Sequence, residues 1–351
     1  MKAVALVIVL LSNEGHWLSG KEGSIGVDWS AEAIAIPCDL KWELKLGGVK
    51  LAGDSIAIGP KQPGAIKIIC PEARIRLPLQ WEWRLIRKQD AVELAHGSEK
   101  IIAYPADLTQ GWSELVKGKR IVLIDRASDL SDLLKRAKIA HARFDDAARL
   151  QTAQADIVIV GPESLHDRLF EQAPLAALIR SGAAVVVLRQ SSVTQLLGVE
   201  VASRALPEHF SFPVDVSLLS GLDAEVFQGW ERDWKRLNPS VFRALRVPER
   251  EDSGALIKWP AGAQGGAPPA LLQSGARDAL LLSREGQAKG GRLVLCQMPL
   301  GDWSTDPRSQ LFLGNLLDLL ISPSSSILID SSSANGAHRP AATIISPGAM
   351  R

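Results

Sequence analysis

Four short apolar runs constrain this chain more than any other feature: Ile121 to Ile124, Ile157 to Val160, Ala183 to Leu188 and Arg292 to Met298. Runs of this length without polar alternation belong to strands covered on both faces, the pattern of parallel sheets. The segments between them have helical spacing. Leu130, Leu133, Leu134 and Ala137 share one side of a helix over Ser128 to Ala140, and a second helix, from about Leu165 to Arg180, stops at Gly182. After the last run, Leu311, Leu313, Leu316, Leu317 and Leu320 line a third helix. Strands alternating with helices predict an α/β domain with a mostly parallel sheet over residues 106–321. Ala142 to Phe144 and Ala279 to Ser283 add short strands. Residues 190–275 carry no regular pattern, and the Gly/Pro/Ala-rich piece from Ala261 to Pro269 reads as a loop.

Residues 1–105 follow a period of two instead. Lys41 to Leu46 alternates, and Gly47-Gly48 turns the chain. Val49 to Ala52, Ser55 to Ile58, Ala65 to Cys70, Ile75 to Leu79, Trp81 to Ile86 and Lys100 to Tyr104 supply further strands between Gly and Pro punctuation. Short strands at this spacing predict an all-β sandwich. The opening run, Val4 to Leu11, fits a first strand. It also has the length of a signal-peptide core, but no small-x-small cleavage site follows, which favours the strand and a cytoplasmic over an exported chain. The run is too short to span a bilayer. Residues 322–351, rich in Ser, Pro and Ala, predict a disordered tail.

Composition closes several function classes. A net charge of +1, with Lys and Arg scattered along the chain, argues against nucleic acid as a partner. The three cysteines, Cys38, Cys70 and Cys296, are too few and too scattered for a disulfide framework or a zinc site, and Cys38 and Cys70 read as reduced thiols. Trp17, Trp29, Trp42, Trp81 and Trp83 crowd the first hundred residues. They read as sandwich core or, if exposed in a row, as a platform for sugar rings.

No motif fixes a reaction. A nucleotide loop would follow the first α/β strand, but the chain there reads IDRASDL, without the glycines that let a backbone approach a pyrophosphate. Cys296 lies inside an apolar strand, where burial works against a thiolate. The turn after Leu188, Arg189-Gln190-Ser191-Ser192, lacks the glycines of a nucleophile elbow, and His166 and His209 are isolated. Asn13-Glu14 resembles the acid/base pair of retaining glycosidases but reads as a turn, because no eightfold βα pattern surrounds it. No CxxC or HxxxH spacing occurs. Catalytic, cofactor-binding and metal-ligating residues are therefore all expected to be absent. The most distinctive polar stretch is GLDAEVFQGWERDW, Gly221 to Trp234, with Trp230 and Trp234 at i, i+4.

Three stretches carry a family resemblance. LKWELKLGGVKLAGDSIAIGP, with the closing IIAYP, resembles the immunoglobulin-like sandwich that follows the barrel in glycoside hydrolase family 2-like (β-galactosidase-like) proteins. The α/β region resembles the flavodoxin-like class I glutamine amidotransferase-like domain found near the C-terminus of some of them. GLDAEVFQGWERDW and GGRLVLCQMPLGDWSTDPRSQLFLGNLLDLL are similar to that domain's Trp-bearing segment and to its Gln-x-Pro strand with the following Asn-Leu-Leu-Asp helix. The catalytic barrel and the amidotransferase Cys-His-Glu set have no counterpart here. The resemblance thus implies a non-catalytic accessory module or C-terminal fragment, with a separate or fused glycosidase barrel, carbohydrate and homo-oligomer contacts as its partners. A glycoside hydrolase with an unrecognised site and a protein–protein scaffold are the alternatives. Trp230, Trp234, Gln297, Asp302, Trp303 and Asp306 are the residues expected at any ligand or interdomain surface.

Overall fold

The computed structural model describes residues 6–10, 15–29, 37–58, 64–166, 169–204, 221–222, 226, 230, 242–247, 255–259, 277–285, 291–298, 300 and 302–321. The alternation read in the first hundred residues builds two sheets. β1 (Leu6–Leu10), β3 (Glu22–Trp29) and β6 (Gly64–Ile69) form a three-stranded antiparallel sheet. β2 (His16–Leu18), β4 (Cys38–Leu46), β5 (Val49–Ile58), β7 (Leu77–Arg87) and β8 (Glu93–Tyr104) form a five-stranded sheet in the order β2-β8-β7-β4-β5. The chain changes sheets between β1 and β2 near Gly15, whose φ of 80° suits a residue without Cβ. β2 then runs parallel to β8, and the other pairings are antiparallel.

The inner faces interlock. Leu40, Trp42 and Leu44 of β4 stand opposite Leu85, Trp83 and Trp81 of β7, and Trp17, Ile25, Ile66 and Ile68 share the same core. Outside, Lys45 lies 3.1 Å from Glu43 and 2.6 Å from Glu82, a solvated ionic face. Trp17, Trp42, Trp81 and Trp83 are all buried, so these four indoles form core and not a sugar platform. Two glycines make room for them. A Cβ on Gly23 would lie 2.2 Å from the Trp17 ring, and one on Gly97 2.6 Å from that of Trp83. Cys38, Cys70 and Cys296 are buried, and none of them is in a disulfide in this structure.

The apolar runs form the parallel part of a ten-stranded mixed sheet. β9 (Ile121–Ile124), β10 (His141–Phe144), β11 (Ile157–Val160), β12 (Ala184–Val187) and β18 (Arg292–Cys296) run parallel in the order β10-β9-β11-β12-β18. Alternate residues feed opposite faces. Ile121, Leu123, Ile157, Ile159 and Val186 meet α2 (Asp129–Arg136) and α4 (Pro307–Ile321). Val122, Ile124, Val158, Val160 and Val187 meet α3 (Leu169–Arg180) and a 3-10 turn at Ala147–Thr152. Covering both faces is why these strands show no polar alternation. The chain is therefore α/β plus β.

β13 (Gln195–Leu196), β14 (Val199–Arg204), β15 (Phe242–Val247), β16 (Ala255–Trp259) and β17 (Arg277–Glu285) extend this sheet with antiparallel pairings. In this other half of the sheet only β17 was legible in the sequence, as the run Ala279 to Ser283. The tail at 322–351, the Asn13-Glu14 turn and the Ala261–Pro269 loop lie outside the described residues.

The sandwich meets the α/β part through an apolar joint in which Leu18, Ile102 and Tyr104 pack with Leu108 and with Leu311 of α4. Tyr104 anchors it: its hydroxyl lies 2.9 Å from His16 Nδ1, and its carbonyl accepts from Ser19 Oγ at 2.8 Å. Beside the joint, α1 (Trp112–Leu115) sets Trp112 against α4, where a Cβ on Gly314 would lie 2.8 Å from the indole nitrogen.

Candidate functional site

In open α/β sheets the natural crevice lies outside the carboxyl ends of the strands, where the strand order reverses. Here β9 leads to β10 on one side and to β11 on the other, so the reversal falls between β9 and β11. Asp125, which ends β9, is buried there. Its Oδ2 accepts from Ser131 N in the first turn of α2 at 3.1 Å. A Cβ on Gly161 would lie 3.0 Å from its Oδ1 and 3.1 Å from Ile124 O, so a larger residue would push the two loops apart by a few tenths of an ångström. Gly161 N donates to Ile124 O at 2.7 Å, and Arg126 N to Ser164 Oγ at 3.4 Å. Above them, Arg126 NH2 meets His166 Nε2 at 2.6 Å. Among the described residues, the polar groups at this crevice bond to one another.

The closure continues along the sheet. The buried carboxamide of Gln190, just beyond β12, accepts from Leu165 N at 2.8 Å and donates to Gly161 O and Leu188 O at 2.8 and 2.7 Å. Gln190 N in turn donates to Gln297 Oε1, beyond β18, at 3.3 Å. On the rim Glu163, held at φ 54°, accepts from Ser191 N and Oγ at 2.7 and 2.8 Å.

One arrangement with chemical potential escaped the sequence reading. Ser131 Oγ lies 2.9 Å from His141 Nε2, and His141 Nδ1 lies 2.9 Å from Ile139 O. A carbonyl can only accept, so Nδ1 carries a proton, and in the neutral tautomer that this requires, Nε2 accepts from the serine hydroxyl. That is the hydroxyl–imidazole geometry of nucleophilic catalysis. Ser131 is one of the buried residues of α2, however, and its hydroxyl is closed to a substrate as placed. Cys296 is no better placed: burial pushes its thiol up to about 12. Among the described residues, no group of three His, Cys, Asp or Glu side chains could hold a metal ion.

The residues singled out by sequence fall into two groups. Gln297 is buried in the carboxamide row. Trp230, Trp303 and Asp306 gather at the start of α4, where Asp306 Oδ1 accepts from Arg308 N at 2.9 Å and Pro307 opens the helix. This is a capping arrangement in which proline suits the first helical position. The Arg308 guanidinium grips both oxygens of Asp306 at 2.9 and 3.0 Å and lies 5.6 Å from the Trp230 ring centroid. Trp230 meets Phe312 edge-on at 5.8 Å. Trp303 is buried, and its carbonyl accepts from Gln310 and Arg136. Of those that are described, Asp302 alone is exposed. Burial raises its carboxyl, but hydrogen bonds from Ser304 and Thr305 outweigh this and hold it below the usual carboxylate range. Trp234 lies outside the described residues.

No helix among the described residues is long and apolar enough to cross a membrane. No family model matches the chain, and no curated protein matches it by sequence. Solved structures give distant likenesses to parts of known proteins. The CARDB domain of the PF1109 protein from Pyrococcus furiosus matches over 29% of this chain and 90% of its own, with 12% identity and a TM-score of 0.21. A putative β-galactosidase from Bacteroides fragilis matches over 51% of this chain and 27% of its own, with 12% identity and a TM-score of 0.20. A calcium-binding mutant of β-glucuronidase 2 from Bacteroides uniformis matches over 55% of this chain and 28% of its own, with 9% identity and a TM-score of 0.19. The chain thus spans little more than a quarter of the two enzymes it resembles.

Proposed function

We propose that this chain is a non-catalytic accessory module of a glycoside hydrolase-like protein. Its immunoglobulin-like sandwich (1–105) and amidotransferase-like α/β domain (106–321) would support domain packing or oligomer contact around a separate or fused barrel. The observation that carries this reading is the pairing of the polar groups at the crevice with one another. Asp125, Gln190 and Ser131 spend their hydrogen bonds inside the chain, where an enzyme would hold them toward a substrate. The apolar joint through Tyr104 and Leu311 supports the same reading, because a packing module must hold its two parts together. Hydrolysis of nitrophenyl galactosides and glucuronides by the purified chain tests it. Rates equal to buffer are expected. Turnover that follows the chain through a second, orthogonal purification would overturn the proposal.

A further inference from the structure

The five-stranded sheet of the sandwich ends at β5, ten residues that pair with β4 alone among the described strands. An edge of this length offers a row of backbone donors and acceptors to any extended chain. It contains no proline, and two large apolar side chains on it are exposed, Val49 at 66% and Leu51 at 43%. By length and composition β5 is a place where two copies would join strand to strand.

Three features oppose that. Asp54 is in register with Trp42, whose indole is buried, so Asp54 stands on the core-facing side of the strand. An added strand would have to bury that carboxylate along its own apolar face. Lys50 stands on the other side, its Nζ 3.1 Å from Glu43. Between them the register slips: Leu44 pairs with Ala52 but Lys45 with Lys50, leaving Leu51 as an extra residue. A bulge of this kind bends an edge away from a flat partner. Inward charge, lysine and bulge are each known ways of blunting an edge, and β5 carries all of them.

We infer that β5 is a guarded edge, on which Lys50, Asp54 and the bulge at Leu51 keep the sandwich from pairing with a second copy of itself. Any self-contact of the module then uses another face. The inference stands on the register of β5 and does not depend on the proposed function.

Sedimentation velocity on the full chain tests it. K50V/D54V removes two charges and adds two good strand formers at exposed positions. Its apparent mass should rise to about twice the native value or more at the same concentration, as two-fold strand pairing requires. D54K keeps an inward charge and should sediment as native. K41V/R84V removes two charges from the outer face of the interior strands β4 and β7 and should also stay native. A folded K50V/D54V of native mass would overturn the inference, and so would association of K41V/R84V to the same extent, since loss of any two charged side chains from the sheet would then suffice. If K50V/D54V loses its circular dichroism signature, D54V alone is read by the same criteria.

Discussion

The two cores of this molecule follow different rules. In the sandwich, four indoles fill the space between the sheets, and Gly23 and Gly97 are hollows shaped to them. In the parallel sheet, Ile, Val and Leu cover both faces of four-residue strands, and each side chain touches several equivalent neighbours. Large-against-small packing specifies one arrangement and tolerates little. Layers of aliphatic side chains tolerate exchange, because their stability is a sum of similar terms. The sandwich should therefore be brittle at particular residues, and the sheet forgiving at most.

The largest expected effect is at Trp81, which is fully buried. Trp81→Ala should cost the sandwich about 3–5 kcal/mol in denaturant unfolding, the range for truncating a large core aromatic. Its Nε1 has no protein acceptor among the described residues, so Trp81→Phe gives up volume but no hydrogen bond. That exchange should cost clearly less than Trp81→Ala, because it leaves a smaller cavity. If Phe proves as costly as Ala, the indole is held by something other than shape.

Gly97→Ala comes next. In a strand, alanine ordinarily stabilises relative to glycine by about 0.5–1 kcal/mol. Here the new Cβ would press to 2.6 Å on Trp83, so a loss of about 1–3 kcal/mol is expected instead. Trp83→Phe in the same chain should return part of that loss, and the coupling energy reads the interlock directly. A silent Gly97→Ala would mean that the sandwich core is as plastic as the sheet. On the forgiving side, Ile159→Val should cost only about 0.5–1.5 kcal/mol, although Ile159 is just as buried as Trp81.

The same contrast decides what could be read in advance. β9 and β11 are the runs Ile121–Ile124 and Ile157–Val160 themselves, and β12 and β18 lie within a residue or two of their runs, because burial on both faces leaves an unbroken apolar signature. The α4 cap went unread, although an aspartate followed by proline is a local signal for a helix start. β2 is three residues long, and β3 carries two glycines, so neither has a pattern to find. β14 and β15 mix charge with apolar residues and lack the unbroken runs of the parallel strands. The site was less legible still. Gln190 and Gln297 are 107 residues apart, and nothing local marks a glutamine for burial. Ser131 and His141 are ten residues apart, but only the turn from α2 into β10 makes them neighbours.

The smallest expected effect is at the opposite, amino end of the parallel strands, where the sheet relies on charge. Asp156 accepts from Arg120 N at 2.7 Å, Nε at 3.2 Å and NH2 at 3.1 Å, while Arg120 NH1 reaches Gln154 Oε1 at 2.6 Å, which ties the start of β9 to the start of β11. The Arg120 side chain, and then its backbone N–H, hold the Asp156 carboxyl below its ordinary value. A carboxyl depressed in the folded state adds stability above its unfolded value, about 3.9, and loses it as pH falls through the folded value. Asp156→Asn should therefore unfold more readily than the native chain at pH 7, with the gap closing below about pH 4. The effect is small because the guanidinium is half exposed and water screens the pair. The Trp81 and Gly97 variants titrate nothing and should keep their deficits across the same pH range. A gap for Asp156→Asn that is as wide at pH 3 as at pH 7 would mean that this end of the sheet, like the sandwich, is held by shape.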